Sequence, residues 1–330
     1  MSELHKFLFD GLPVRGMIVR LTDAWTEVLR RRAGNTETGA YPPAVGELLG
    51  EMAAAGVLMQ SNIKFNGALV LQIFGDGPVK LAVAEVQSDL GLRATATVSG
   101  GVEPGVRLPG MVNLGGTGRC AITLDPQDRQ PGQQPYQGVV PLQDANGRKF
   151  DRLSDVLQHY MLQSEQLDAT LVLAANGEVA AGLLIQRMPV KGEANLAGAT
   201  ESAEQGDDRL GHNEDYNRIA HLAASLTRDE LLTLDVDTIL RRLFWEERLL
   251  RFAPRQGVDG PRFACTCSRG RVAGMLRNLG VQEVESILAE REDIEVGCEY
   301  CGQQYRFDAV DAAQIFTSPA ELPPGTRAVQ

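Results

Sequence analysis

Aromatic side chains make up only 5% of this sequence, and no apolar run approaches the roughly 20 residues that a helix needs to cross a bilayer. No membrane partner is therefore expected. Positive charge is also scarce: 32 Lys and Arg stand against 43 Asp and Glu, a formal net charge of −11. A protein that lives on phosphate contacts is normally basic, so nucleic acid is not an expected partner. The opening residues Met1 to Lys6 lack a basic segment followed by an apolar stretch. No secretory signal is read there, and the cytoplasm is the expected location.

Enzyme signatures are missing too. There is no P-loop and no Gly-x-Ser-x-Gly elbow. Gly116-Thr-Gly118-Arg-Cys120-Ala121 imitates a dinucleotide fingerprint, but Cys120 to Leu124 continues as strand, so the helix N-terminus that would hold phosphate is absent. Gly75-Asp76-Gly77-Pro78 reads as a hairpin turn in which Asp76 has no identifiable partner. The histidines, His5, His159, His212 and His221, show no ligand spacing. No enzymatic activity is expected.

What is present is a mixed pattern in a chain of 330 residues, 43% of them hydrophobic. Thr22 opens a helix through Arg32, and Pro42-Pro43 opens an alanine-rich one reaching about Met59. Strand signals cover Asn62 to Phe65, Ala68 to Phe74, Val79 to Val86, Arg93 to Val98, Arg119 to Leu124, Tyr136 to Leu142, Ala169 to Leu173 and Ala181 to Arg187. Asp151 is placed to cap a helix carrying Leu153, Val156, Leu157, Tyr160 and Met161. The expected fold class is α+β: a mixed core domain at 1–210, a helical linker at 211–262 and a small C-terminal module at 263–330.

The domain boundaries follow composition. Glu193 to Tyr216 holds seven acids, one arginine and no large apolar cluster, and reads as a flexible connector. Helical signals then return: Asn213 as a cap, and Thr227-Arg-Asp-Glu230 as a capping box. Ile239, Leu240, Leu243 and Phe244 share one side of a further helix. The tail from Ser318 reads as disordered.

Five cysteines stand in the chain, four of them as Cys265-Thr-Cys267 and, thirty residues on, Cys298-Glu-Tyr-Cys301. Close pairs let one short turn present two sulfurs to one metal, and two turns complete a tetrahedron. No histidine lies beyond His221 to replace a sulfur, so one zinc held by four thiolates is expected. Such a closed site has no open position for substrate or water, which disfavours metal catalysis. Unrelated buried cysteines and a metal-free redox dithiol are the rival readings. A nucleic-acid-binding zinc ribbon would have a similar metal site. Arg262, Arg269 and Arg271 either offset the negative charge or form a solvated face. Tyr300, Tyr305 and Phe307 read as filling the small core of the module. A segment this short supplies about 3–5 kcal/mol from its own core, whereas a structural zinc contributes about 10–16 kcal/mol. Without metal the module should largely unfold. Cys120, far from the others, reads as a small buried apolar residue.

The pattern Cys265-x-Cys267 … Cys298-x-x-Cys301 resembles that of the heat shock protein 33 family, redox-regulated holdase chaperones. The similarity runs through Lys64-Phe65-Asn66-Gly67, Gln72-Ile-Phe-Gly75-Asp76-Gly77-Pro78, Tyr160-Met-Leu-Gln-Ser164-Glu165-Gln166, Leu183-Leu-Ile-Gln186-Arg-Met-Pro189 and Cys265-Thr-Cys-Ser268-Arg269. Each motif alone is weak; their order with the cysteine spacing is specific. The resemblance implies zinc held by the reduced cysteines, and activation by peroxide or hypochlorous acid together with unfolding conditions. It implies disulfides Cys265–Cys267 and Cys298–Cys301, zinc release, loss of linker structure, ATP-independent binding of unfolding client proteins and a homodimeric active form. Loops so small return only about 2 kcal/mol each, so exchanging metal for them loses stability. The linker residues Leu240, Leu243, Phe244, Trp245, Leu249 and Phe252 are candidates for client binding. The acidic connector at 193–211 departs from the family pattern and has no assigned role.

Overall fold

The computed structural model describes residues 1–35, 38–128, 134–188 and 213–317. The acidic connector at 193–211 and the tail from Ser318 lie outside them.

Two six-stranded sheets dominate. The first runs β10 (Leu249–Arg251), β1 (Glu3–Phe9), β2 (Val14–Leu21), β9 (Ala180–Arg187), β8 (Ala169–Ala175), with β11 (Arg255–Gln256) also on β1; all its pairings are antiparallel. The second runs β12 (Arg262–Phe263), β5 (Gly91–Val98), β4 (Val79–Gln87), β3 (Gly67–Phe74), β6 (Arg119–Pro126), β7 (Tyr136–Pro141). There β12 lies parallel to β5 and the other pairs are antiparallel.

Helix α2 (Pro43–Asn62) packs between the sheets, and its sequence explains why. Val45, Leu49, Met52, Ala53 and Leu58 point in different directions and all are buried. A helix apolar all round is one covered on every side. Its glycines set the spacing. A Cβ on Gly50 would come within 2.4 Å of the Ala175 Cβ in the first sheet, and one on Gly56 within 2.9 Å of Val86 Cγ2 in the second. Helices α1 (Asp23–Ala33), α3 (Leu108–Val112) and α4 (Leu153–Ser164) complete this layer, with Trp25, Met111 and Leu157 in the shared cluster.

The outer face of the first sheet is covered by α5 (Glu214–Ala224), α6 (Arg228–Thr233) and α7 (Val236–Phe244). Phe7, Phe9, Ile18, Leu183 and Ile185 from the strands meet Ile219, Leu231, Leu240, Leu243 and Phe244 in one cluster. Covered on both faces, β9 reads Ala-Ala-Gly-Leu-Leu-Ile-Gln-Arg and buries every residue. The expected caps form: Asn213 accepts from the Tyr216 amide at 2.7 Å, and Thr227 and Glu230 complete a capping box. The helical part ends at Phe244, and residues 249–263 cross from the edge of the first sheet to the edge of the second as short strands interrupted by a 3-10 turn at Gly257–Asp259.

The final unit contains α8 (Arg269–Leu279), α9 (Val281–Glu290), the hairpin of β13 (Ile294–Gly297) and β14 (Gln304–Phe307), and α10 (Ala309–Thr317). Leu276, Val284, Ile294, Phe307, Ala312 and Ile315 form its separate small core.

Three local expectations are corrected. Asn62 to Phe65 is not a strand: α2 continues through Asn62, whose side chain is anchored to Gln186 Oε1 at 2.5 Å. Asp151 does not cap α4; its carboxylate accepts from Arg107 at 3.0 Å and Arg152 occupies the N-cap position. Thr22 stands at the N-cap of α1, but the Oγ of Ser2 accepts from the Thr22 and Ala24 amides at 3.0 and 3.2 Å in its place. A hydroxyl from elsewhere in the chain does the job expected of the local one.

Candidate metal centre

The Cys298 and Cys301 thiols sit on the turn of the β13–β14 hairpin. Gly302 turns the chain at φ 72°, donating its amide to the Cys298 carbonyl at 2.8 Å, while the Cys298 amide reaches Gln303 O at 2.9 Å. Cys265 and Cys267 lie in the extended stretch between β12 and α8, where Ser268 caps α8 by accepting from the Arg271 amide at 3.2 Å. The two stretches face each other. Cys265 Sγ lies 3.7 Å from Cys298 Sγ, Cys267 Sγ lies 3.3 Å from Cys301 Sγ, and all four sulfurs fall within 4.8 Å of one another. Among the described residues, no other group of three or more His, Cys, Asp or Glu is arranged to hold a metal ion.

This donor set fits zinc. Four sulfurs about 2.3 Å from a tetrahedral centre are separated by about 3.8 Å. Electrostatics point the same way. Burial raises the Cys267 thiol, but the Tyr305 hydroxyl donating at 3.2 Å and the neighbouring cysteines outweigh it and bring the group down to about 7. Burial pushes the Cys298 and Cys301 thiols up, and for Cys301 the neighbouring cysteines push the same way. Like charges this close do not all ionise unaided; a divalent cation removes the conflict.

The structure decides the role of the surrounding cations. Arg269 donates to Arg306 O and pairs with Asp311, both at 2.6 Å. Arg271 donates to Thr266 Oγ1 at 2.7 Å, and Arg262 pairs with Asp89. The cation at the sulfurs is instead Arg93 of β5, with Nη1 3.8 Å from Cys265 Sγ. Nothing in the local sequence signals this residue, which lies 172 positions away from its partner. Phe307 fills the module core as expected, whereas Tyr300 lies at the junction, its ring 4.2 Å below the Arg93 guanidinium carbon.

The candidate client-binding residues divide. Leu240, Leu243 and Phe244 are buried against the first sheet, and Leu249 is half-buried on β10. Trp245 and Phe252 are exposed at 74% and 56%, so part of the apolar surface already faces solvent. Cys120 is 1% exposed inside the inter-sheet cluster. The two enzyme-like motifs lock each other: Asp76 accepts from the Thr117 amide and hydroxyl, both at 2.8 Å, and so does have a partner. Gly116 to Gly118 is thereby a connection into β6, with no helix after it. Among the described residues no helix is long and apolar enough to cross a membrane.

Comparison with known proteins agrees with this arrangement. The family model described as "Hsp33 protein" matches residues 2–308. The "33 kDa chaperonin" of Chromobacterium violaceum is 43% identical over 315 residues, covering 96% of this chain and 94% of that protein. That of Methylobacillus flagellatus is 40% identical, covering 98% and 97%. Among solved structures, the crystal structure of the 33 kDa chaperonin (heat shock protein 33 homolog) from Thermotoga maritima superposes with a TM-score of 0.70. It is 19% identical and the match covers 95% of this chain and 97% of that one, which speaks for the fold. The cysteine spacing, the two-sheet core and the match from residue 2 to 308 place this chain in the Hsp33 protein family.

Proposed function

We propose that this protein is an ATP-independent holdase whose cysteine cluster binds one zinc ion when reduced and switches client binding on when oxidised. Membership of the Hsp33 family supports the chaperone function itself. The observation that carries the switch is the continuity of the chain: the helices covering the first sheet lead, through β10 to β12, straight into Cys265.

In the reduced state Cys265, Cys267, Cys298 and Cys301 hold the ion, which ties two stretches of chain together and so stabilises a small unit. A cleft of about 510 Å³, lined by Cys298, Glu299, Arg32 and Arg306, admits small oxidants beside the cluster. Disulfides Cys265–Cys267 and Cys298–Cys301 then form. Each S–S bond takes two electrons from a thiolate pair and passes them to one peroxide, whose O–O bond breaks to give two hydroxides that take up protons as water. The donor set is gone, and the short loops do not replace the tie.

The strands that follow α7 lose their anchor, and α5 to α7 come off the first sheet. Phe7, Phe9, Ile18, Leu183 and Ile185 are then uncovered along with Leu240, Leu243 and Phe244, next to Trp245, Leu249 and Phe252. Each such side chain leaving cover exposes about 1.5–3 kcal/mol of apolar surface, and contiguous patches of this kind bind other chains. The unfolded segments of client proteins are the partners, and the exposed faces also account for homodimerisation of the active form. The domain boundaries near 210 and 262 follow from the same reading, as does a cytoplasmic location, where the thiols stay reduced until stress. Replacing Cys298 by Ser tests the switch: with three thiolates the metal is held weakly, and client binding without oxidant is expected. Loss of metal with an undisturbed linker and no client binding would contradict it.

A further inference from the structure

The cysteine module sits on one particular face of the second sheet. Leu92, Ala94 and Ala96 of β5 point into the inter-sheet core, so Arg93 and Thr95 point the other way, toward the module. Thr95 donates to the Glu299 carbonyl at 3.2 Å, and Arg93 makes three contacts at once. Its Nη2 lies 2.6 Å from Glu85 Oε2 on the neighbouring strand, its Nη1 meets Cys265 Sγ, and its guanidinium plane covers Tyr300. Both members of the Arg93–Glu85 pair are largely shielded, at 15% and 13% side-chain exposure. Beside these run backbone bonds, Arg262 N to Leu90 O at 3.2 Å and Ala264 N to Leu92 O at 2.9 Å, the exposed Arg262–Asp89 pair, and Phe263, which packs on the core under the Arg31 guanidinium.

We propose that Arg93 is a positioning residue that couples docking of the module on β5 to the charge of the cysteine cluster, an inference that rests on the zinc reading above. Four thiolates around one divalent cation carry a formal charge of −2. The arginines flanking the first cysteine pair are engaged elsewhere, Arg269 with Asp311 and a carbonyl, Arg271 with Thr266 and Arg262 with Asp89, and Arg306 of the hairpin pairs with Glu295. The cation in contact with a cluster sulfur therefore comes from the core and is there only while the module is docked. Coupling of this kind is reciprocal: docking strengthens metal binding, and metal binding strengthens docking. Conversion of the four thiolates to two cystines, with two electrons passing from each pair to a peroxide, leaves neutral sulfur. Arg93 then keeps Glu85 and Tyr300's ring but has no anion on the module to hold. Loss of charge, as well as loss of metal, thereby releases β12 from β5.

The test uses full-length reduced, zinc-loaded protein and its Arg93→Ala, Arg93→Gln and Arg93→Lys variants, without client. Zinc affinity is read by competition with a chromophoric chelator, at low and high salt, and docking by hydrogen exchange of the Ala264 amide. Arg93→Ala and Arg93→Gln are expected to lose on the order of tenfold in zinc affinity, the effect of removing a partner of a metal ligand, and to expose Ala264. Arg93→Lys is expected to restore most of both, and the gap in affinity between the proteins with and without a cation at position 93 should narrow at high salt. After peroxide oxidation all four proteins should exchange Ala264 equally fast. Arg93→Gln behaving like wild type would overturn the proposal by reducing Arg93 to packing, and so would an Ala264 amide still protected in oxidised wild type. A wild-type protein that binds no zinc would overturn the reading of the site and this proposal with it; normal zinc binding with unaffected variants would overturn this proposal alone.

Discussion

Arg20 on β2 donates to the carbonyl oxygen of Leu232 at 2.6 Å, joining the first sheet to the end of α6. The same guanidinium reaches the carbonyls of Leu231 at 3.1 Å and Leu234 at 3.0 Å. The last carbonyls of a helix have no partner within it, and a cation placed there supplies donors and favours the helix dipole. One strand residue thus fastens the cover over the apolar sheet face. Arg20→Ala should loosen that cover by about 2–3 kcal/mol, because charged hydrogen bonds are lost and carbonyls are left unpaired. Hydrogen exchange should accelerate across α6 and α7 while the strands of the second sheet keep their protection. Partial holdase activity without oxidant should accompany it.

Glu51 of α2 gives a pH signature. Burial, its largest influence, raises its carboxyl to about 7, against the opposing pull of Arg228; Glu47 and Asp155 push up and Arg152 pulls down. The folded protein therefore keeps a proton that the unfolded chain, at 4.5, has already released. Stability from this group falls as pH rises through that window, and the full cost is present above it. Glu51→Gln should stabilise the protein by about 1–3 kcal/mol at pH 8 and by little at pH 4. Thermal denaturation at both values measures this; equal shifts would contradict it.

Cys120 should be chemically silent. Burial alone pushes its thiol up to about 12. Thiolate is the reactive form, so alkylation of the native protein with chelator present should modify four cysteines and spare Cys120 until the core unfolds. Mass spectrometry of the labelled peptides decides it, and early labelling of Cys120 would refute the assignment.

How much of this was readable in the chain depended on whether the signal was local. The alternation in Leu69, Leu71 and Ile73, the capping box at Thr227 and the spacing of the four cysteines are properties of a few adjacent residues, and β3, α6 and the cysteine cluster follow from them. The N-terminal hairpin of β1 and β2 carries no clean alternation, because Leu4, Met17, Val19 and Leu21 face one side and Phe7, Phe9 and Ile18 the other of a sheet covered on both sides. β10, β11 and β12 are two or three residues long and are strands only because β1 and β5 offer them an edge. Helices α8 and α9 bury one residue each, Leu276 and Val284, too few to mark a face. Arg20 and Arg93 find their partners across 212 and 172 positions, a distance no motif spans.

Replacing Cys298 by Ser should uncouple the switch from its trigger. The variant should lose zinc to a mild chelator, expose the Ala264 amide and bind unfolding client while still reduced. Circular dichroism distinguishes this outcome from global unfolding, since both large sheets should remain.

The most direct test of the central claim is light scattering from a heat-aggregating client, with the protein added either reduced and zinc-loaded or peroxide-treated and zinc-depleted. Suppression of aggregation by the oxidised form alone is the expected result. Equal suppression by both forms, or by neither, would contradict a chaperone switched through Cys265, Cys267, Cys298 and Cys301.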